Sequence, residues 1–379
     1  MAEPCFLLFY RRQGDSAIER LVDAARAATV RDTVRRADEA GFERIIIATT
    51  DAAPFESLTG VELDVDAVSG PFAPRLRQVL QTIAGGPICY AGSGMPGYTV
   101  AAWRALRLRV EAGETVANNL YSADVLATPD AEPLLSMPDD ASDNGMALWL
   151  RDKAGVEVTP LPRSAAALLD IDTPADLRIL ALADSAGAAG TKQFDSGAEL
   201  RALLRAPDLA ALRETLASNA VVERALGLLT EREAEVLVIG RVGSAVWQAL
   251  ERETAARVRV ISEERGLRAR PDGQARSLLG FHLHAVGPEE LVASLEELGD
   301  AVFFDTRPLF AHLGWDPSRA DRFWSDVGAW EEIARPELRA FTRAVAKSRV
   351  PIVLGGHSLV SGGLLAAIDL AWSRWESSG

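Results

Sequence analysis

The chain has 379 residues and a formal charge of −14, with 48% hydrophobic and 25% charged residues. That length exceeds one ordinary core and argues for two domains, and the composition is that of a folded globular protein. The acidic balance excludes a general nucleic-acid binder, which needs a basic face against phosphates.

In chain order, Phe6 to Phe9 reads as an apolar strand beginning just after Cys5. Ser16 to Ala40 reads as a helix, in which Ser16 and Glu19 form a capping box and Ile18, Leu21, Val22 and Ala25 supply the apolar face. Gly41 stops it, Arg44 to Ala48 is a buried strand, and Val61 to Val65 is a shorter one. Phe72 to Ala84 is an amphipathic helix, Pro87 to Ala91 a strand containing Cys89, and Thr99 to about Ala112 a helix. A strand follows around Thr115 to Leu126. Residues 129 to 145, rich in Pro, Asp and Ser, form an exposed loop, then come a helix from Asn144 to Ala154 and a strand from Val156 to Leu161. Such alternation implies a largely parallel sheet covered on both faces. Cys5 and Cys89 read as buried thiols rather than a disulfide framework.

Residues 184 to 197 have the small, polar composition of a linker, and Ala198 to Thr230 a helical connector with Leu200, Leu203, Leu204, Leu212 and Leu216 at helical spacing. The second half alternates again. Strands are expected at Val236 to Ile239, Val258 to Ile261, Phe281 to Ala285, Ala301 to Phe304 and Val350 to Leu354. The expected fold class is α/β, with two Rossmann-like αβα sandwich domains at 1–183 and 231–379. No charged and apolar leader opens the sequence and no apolar run reaches bilayer length, so the expectation is a cytoplasmic protein without a membrane partner.

Residues 169 to 177 read Leu-Asp-Ile-Asp-Thr-Pro-Ala-Asp-Leu. Asp-x-Asp puts Asp170 and Asp172 on one edge of a strand end, and Thr-Pro starts a helix with Pro174 at an early position. As local structure alone, Thr173 is an N-cap, Asp170 and Asp172 are solvated, and Asp176 favours the helix N-terminus. Earlier, the strand Pro87 to Ala91 runs into Gly92-Ser93-Gly94-Met95-Pro96-Gly97 and then a helix.

Together these motifs resemble the MobA-like nucleotidyltransferase and glycosyltransferase-A superfamily, the nucleotide-diphospho-sugar transferases, over about residues 1 to 183. The resemblance implies a nucleotide or nucleotide-sugar ligand, Mg²⁺ as cofactor near Asp170 and Asp172, and Gly92, Ser93 and Gly94 beside the bound group. Two departures stand out. The family's central G-x-D-x-P-G carries a metal-binding aspartate where this chain has Gly94. Its nucleotidyltransferase-type loop Gly-Gly-x-x-x-R-x-G-x-x-K is replaced by Tyr10-Arg11-Arg12-Gln13-Gly14-Asp15, closer to the Arg-rich loop of the glycosyltransferase branch. Arg11 and Arg12 are candidate phosphate ligands through their bidentate forks, or else ordinary solvated residues after a strand.

In the second half, the residues after the strands gather polar chemistry. Gly240, Gly243 and Ser244 lie where a strand turns into a helix, a geometry that suits an anion, although the glycine pattern is no dinucleotide fingerprint and equally makes a tight turn. Glu263, Asp305 and His357 are candidate acid–base groups, Arg307 a candidate anion ligand and His312 a neighbour; Asp305 and Arg307 equally suit a loop-shaping ion pair. Ser358 lacks the glycine spacing and downstream histidine of a hydrolase nucleophile. In a doubly wound sheet these positions share one edge, so Gly240 to Ser244, Glu263, Asp305, Arg307, His312 and His357 are expected to converge. Asp170 and Asp172 are likewise expected within reach of Gly92 to Gly97.

The leading expectation is a nucleotidyltransferase- or glycosyltransferase-like protein. Its alternative is a degenerate, non-catalytic first domain that binds or assembles, with any activity in the second. Another small anionic metabolite and self-association into a homo-oligomer are further expectations.

Overall fold

The computed structural model describes residues 3–66, 70–185, 195–206, 219–264 and 275–378. Most of the expected linker and the middle of the expected connector lie outside these. The described residues form two compact units, one within 1–13, 23–170 and 195–203, the other within 14–22, 171–194 and 204–379.

The first unit is built on a seven-stranded sheet: β1 (Cys5–Tyr10), β2 (Ile45–Thr49), β3 (Glu62–Val65), β4 (Ile88–Gly92), β5 (Thr115–Ala117), β6 (Val125–Thr128) and β7 (Val158–Pro160). Their order is β3-β2-β1-β4-β6-β5-β7. β1 pairs in parallel with β2, Phe6 opposite Ile45, and with β4, Cys5 opposite Ile88. β6 runs antiparallel to both β4 and β5.

Both sheet faces are apolar, as strands buried on two sides require. Phe6, Leu8, Ile47, Cys89 and Ala91 join Ala27, Val30, Val34 and Ala37 of helix α1 (Ala17–Glu39) and Trp103, Leu106 and Val110 of a second helix. On the other face Leu7, Ile46, Ala48, Ile88 and Tyr90 pack on α2 (Phe72–Thr82) and α4 (Met146–Asp152), with α3 (Val100–Glu111) being the helix just mentioned. Cys5 and Cys89 are buried free thiols.

The single strand expected over Thr115 to Leu126 is two strands. Asn118 reverses the chain there: its side chain accepts from the Val125 N–H at 3.0 Å and donates to the Ala167 carbonyl at 3.0 Å, while Asn119 caps Tyr121. Local side-chain hydrogen bonds of this kind compete with strand pairing and make turns.

The second unit holds β8 (Glu235–Gly240), β9 (Arg257–Ser262), β10 (Ala301–Asp305) and β11 (Ile352–Gly355), all parallel in the order β11-β10-β8-β9. One face carries Leu237, Ile239, Val302, Phe304, Ile352 and Leu354 under the helices at 288–298 and 336–346. Helices 219–228 and 362–378, with α6 (Pro174–Ser185; α5 being the single turn Ala165–Leu168), pack together, the first and α6 also against β11. α6 was expected to close the first domain at residue 183. It sits in the second unit instead, because the helix carries Ala175, Ile179 and Leu182 as a buried stripe that meets this core.

Phe281 to Ala285, expected as a strand, is part of a helix at Leu278–Val286. Ser277 caps it by accepting from the Gly280 N–H at 3.0 Å, Leu279 and Leu283 bury one face, and Gly287 ends it at φ +84°. A short apolar run cannot separate helix from strand by hydrophobicity alone.

Candidate functional site

In an open α/β sheet, ligands bind outside the carboxyl ends of the strands where the strand order reverses. In the first unit that point lies between β1 and β4, since β2 and β3 continue to one side of β1 and β4 to the other.

Four features meet there. Tyr90, buried on β4, has its ionisation pushed far up, first by burial and then by the charges of Asp143, Asp124 and Asp170. Three carboxylates from three separate segments therefore act on one strand end. Asp124 also holds that end directly, its carbonyl accepting from the Gly92 N–H at 2.7 Å. Ser93 is buried with no partner for its hydroxyl. Third, the glycine turn itself is packed: Met95 and Tyr98 belong to the apolar core, and the buried Arg36 guanidinium donates to the Pro96 and Tyr98 carbonyls at 2.8 and 3.0 Å. Fourth, after β1 the Gln13 N–H donates to both carboxylate oxygens of buried Asp23, at 3.0 and 2.9 Å. A carboxylate of the chain thus occupies a backbone N–H in the loop that the family resemblance assigns to phosphate.

Of the expected residues here, Arg11 is exposed and donates to the Gly70 carbonyl, and Arg12 is exposed beside it. Asp170 belongs to the Tyr90 group. Asp172 belongs to the second unit, where its N–H donates to Asp176 at 3.1 Å. Asp23, Arg36, Asp124 and Asp143 carry no motif, although an aspartate directly before the apolar run of β6 was a readable signal at Asp124.

The implied Mg²⁺ can be tested against these donors. Among the described residues no group of three or more carboxylate, His or Cys side chains could hold a metal ion. Magnesium, however, rests on one or two carboxylates plus the phosphates of its ligand, with waters completing the octahedron. Hard oxygen donors at Asp124, Asp143 and Asp170 fit an ion carried in on phosphates, and do not fit a dedicated protein cage.

In the second unit the strand order reverses between β8 and β10. The expected residues do gather here, and they are engaged with one another. Gly240 takes φ +127°, and a Cβ there would lie 2.4 Å from that of Asp305. This close approach lets Arg241 reach Asp305 in a bidentate pair at 2.6 and 3.1 Å. Burial pushes the Asp305 carboxyl up, but Arg241, with His357 and Arg307 behind it, outweighs burial and holds it below the usual range. Arg307, expected on an anion, is committed to Asp326 through 2.8 and 2.6 Å bonds; Asp326, which no motif marked, is fully buried. Glu263 accepts from the Ser277 hydroxyl at 2.8 Å, and His312 from the Ser277 N–H at 3.2 Å. The Glu263 N–H donates to the Gly240 carbonyl. Gly243 stands at the N-terminus of the helix Ser244–Glu253, with Ser244 exposed. His284 lies on the helix described above and not after a strand.

Asp176 is a further perturbed carboxyl of this unit. Burial first, then the charge of Asp172, push it up to about 7 against hydrogen bonds from Thr173 and Ser358.

No protein-family model and no curated protein sequence matches the chain. Solved structures do resemble it. A nucleotide-diphospho-sugar transferase from Desulfovibrio desulfuricans shares 13% identity over 57% of this chain and 99% of its own, with a TM-score of 0.41. A cytidylyltransferase from Leptospira borgpetersenii shares 14% over 58% and 97%, with a TM-score of 0.38. Rv0371c of Mycobacterium tuberculosis, solved with manganese, shares 19% over 47% and 98%, with a TM-score of 0.31. Among the described residues no helix is long and apolar enough to cross a membrane.

Two outcomes follow from the second unit. Arg241→Ala strands the buried Asp305 carboxylate and should lower stability by about 3 kcal/mol at pH 7 in urea unfolding. Because the Asp305 value is depressed, the pair's contribution is present above about pH 4 and is lost as pH falls through the folded value, so the deficit should shrink in acid. Asp176 has the opposite sign: its raised value favours folding below about pH 4 and costs stability as pH rises toward 7. Asp176→Asn, which keeps an acceptor for Thr173, should therefore gain about 2 kcal/mol on wild type between pH 5 and pH 8. An unchanged difference would refute the assignment.

Proposed function

We propose that the first unit binds a nucleotide or nucleotide-sugar as its magnesium complex at the β1/β4 edge, as a nucleotidyltransferase- or glycosyltransferase-like protein. The observation that carries this is Asp124 held against the end of β4, its carbonyl accepting from the Gly92 N–H at 2.7 Å, at the point where the sheet order reverses. When bound, the ion would neutralise and orient phosphate oxygens. Asp124 and Asp170 would hold it, Arg11 and Arg12, which follow β1, would turn to the phosphates, and the Arg36 clamp on the turn after β4 supports this reading by keeping that turn in place.

A second reading is a binding or assembly module without turnover. It is favoured by the Asp23 carboxylate on the Gln13 N–H and by Gly94 in place of an acid. The first reading places the metal on the nucleotide and the second needs no metal.

Titration calorimetry of the full chain with CTP and UDP-glucose, with and without Mg²⁺, decides between them. The expected result is saturable binding that weakens about tenfold or more without Mg²⁺ and in Asp124→Asn. Metal-independent binding without product formation would select the module reading, and no binding of either nucleotide at millimolar concentration would overturn both.

A further inference from the structure

Behind the turn after β4, starting at Gly97 and Tyr98, the first unit contains a cavity of about 310 Å³ whose other lining residues the proposed function does not use. Its size is at the lower end of small-molecule sites, which run from about 300 to 1,000 Å³. One wall is a stripe of α3, Ala102, Ala105, Leu106 and Arg109, at the i, i+3, i+4, i+7 spacing of a single helix face. Two alanines in that stripe leave the space. Leu161 faces it across the cavity.

The polar side chains on the lining are of one kind. Arg109 gives its Nε and one terminal nitrogen to Glu114, both at 2.7 Å, in a partly exposed pair. Surface pairs of this sort are worth only about 0–1 kcal/mol and exchange readily for another anion. Ser164 accepts from the Ala167 N–H at 3.2 Å, which uses an oxygen lone pair and leaves the hydroxyl hydrogen to donate. Tyr98 lines the cavity and its buried hydroxyl has no partner. Burial, with Asp124 next, pushes the Tyr98 ionisation well up, so the group stays an O–H donor at ordinary pH. A guanidinium and two hydroxyls thus offer donors, the lining contains no carboxylate, and the remainder is apolar.

We propose that this cavity binds a small organic carboxylate, with an aromatic ring or branched aliphatic body against the alanine stripe and the carboxylate toward Arg109. The apolar body displaces water from Ala102, Ala105 and Leu106, and the anion replaces Glu114 as the partner of Arg109.

Benzoate is the test probe, with benzamide as its uncharged counterpart, titrated calorimetrically into the full chain. Benzoate should saturate one site per chain and benzamide should bind about tenfold more weakly or worse. Ala105→Phe, which fills the cavity, should abolish benzoate binding, and Arg109→Gln should weaken it about tenfold with little change in melting temperature. CTP with Mg²⁺ should not displace bound benzoate, which separates this site from the nucleotide edge. Should Ala105→Phe fail to fold, the Arg109→Gln and benzamide results still decide. No saturation by benzoate, equal affinity for benzamide, or undiminished binding to Arg109→Gln would overturn the proposal.

Discussion

Central strands buried on both faces leave their ends as the place where polar chemistry can sit. In each unit the central parallel strands, β1, β2 and β4 in the first and β8, β10 and β11 in the second, are near-continuous apolar runs paired with their neighbours. Charged and hydrogen-bonding side chains are thereby forced to the carboxyl edges, and the strand order decides where on each edge a crevice forms.

The two edges use this constraint differently. In the second unit the crevice is filled by the chain itself. Gly240 lacks a Cβ, β8 and β10 bring Arg241 onto Asp305, and Arg307 closes on Asp326. Two fully buried carboxylates in such a place need full pairing, because an uncompensated buried charge costs several kcal/mol. The result is a rigid ion-pair lattice rather than an open anion site.

In the first unit the charges are arranged to the opposite effect. Asp124, Asp143 and Asp170 come from three segments, and the charge of each raises the ionisation of the buried Tyr90. Beside them, the loops that cradle phosphate in the resembled family are stabilised internally: Asp23 takes the Gln13 N–H and Arg36 takes the carbonyls of the glycine turn. The first unit thus has acidic residues near β4 while the loop after β1 is tied down from within.

Much of this was legible in the residues. Apolar runs with the right period marked most of the strands, and the Ser16–Glu19 capping box forms as expected, with the Ser16 N–H donating to Glu19 at 3.1 Å. These depend on short-range chemistry, which a sequence states directly. Where the sequence failed, a distant partner decided. Leu278–Val286 became a helix because Leu279 and Leu283 find one core face, α6 joined the second unit because its stripe meets that core, and the strand after α3 broke because Asn118 reaches Val125 and Ala167. Likewise the polar types at each edge could be read in order, but whether Arg307 meets a ligand or Asp326, and whether Gln13 meets phosphate or Asp23, rests on groups brought together from separate parts of the chain. Periodicity fixes an element and its buried face; only packing fixes which charges meet.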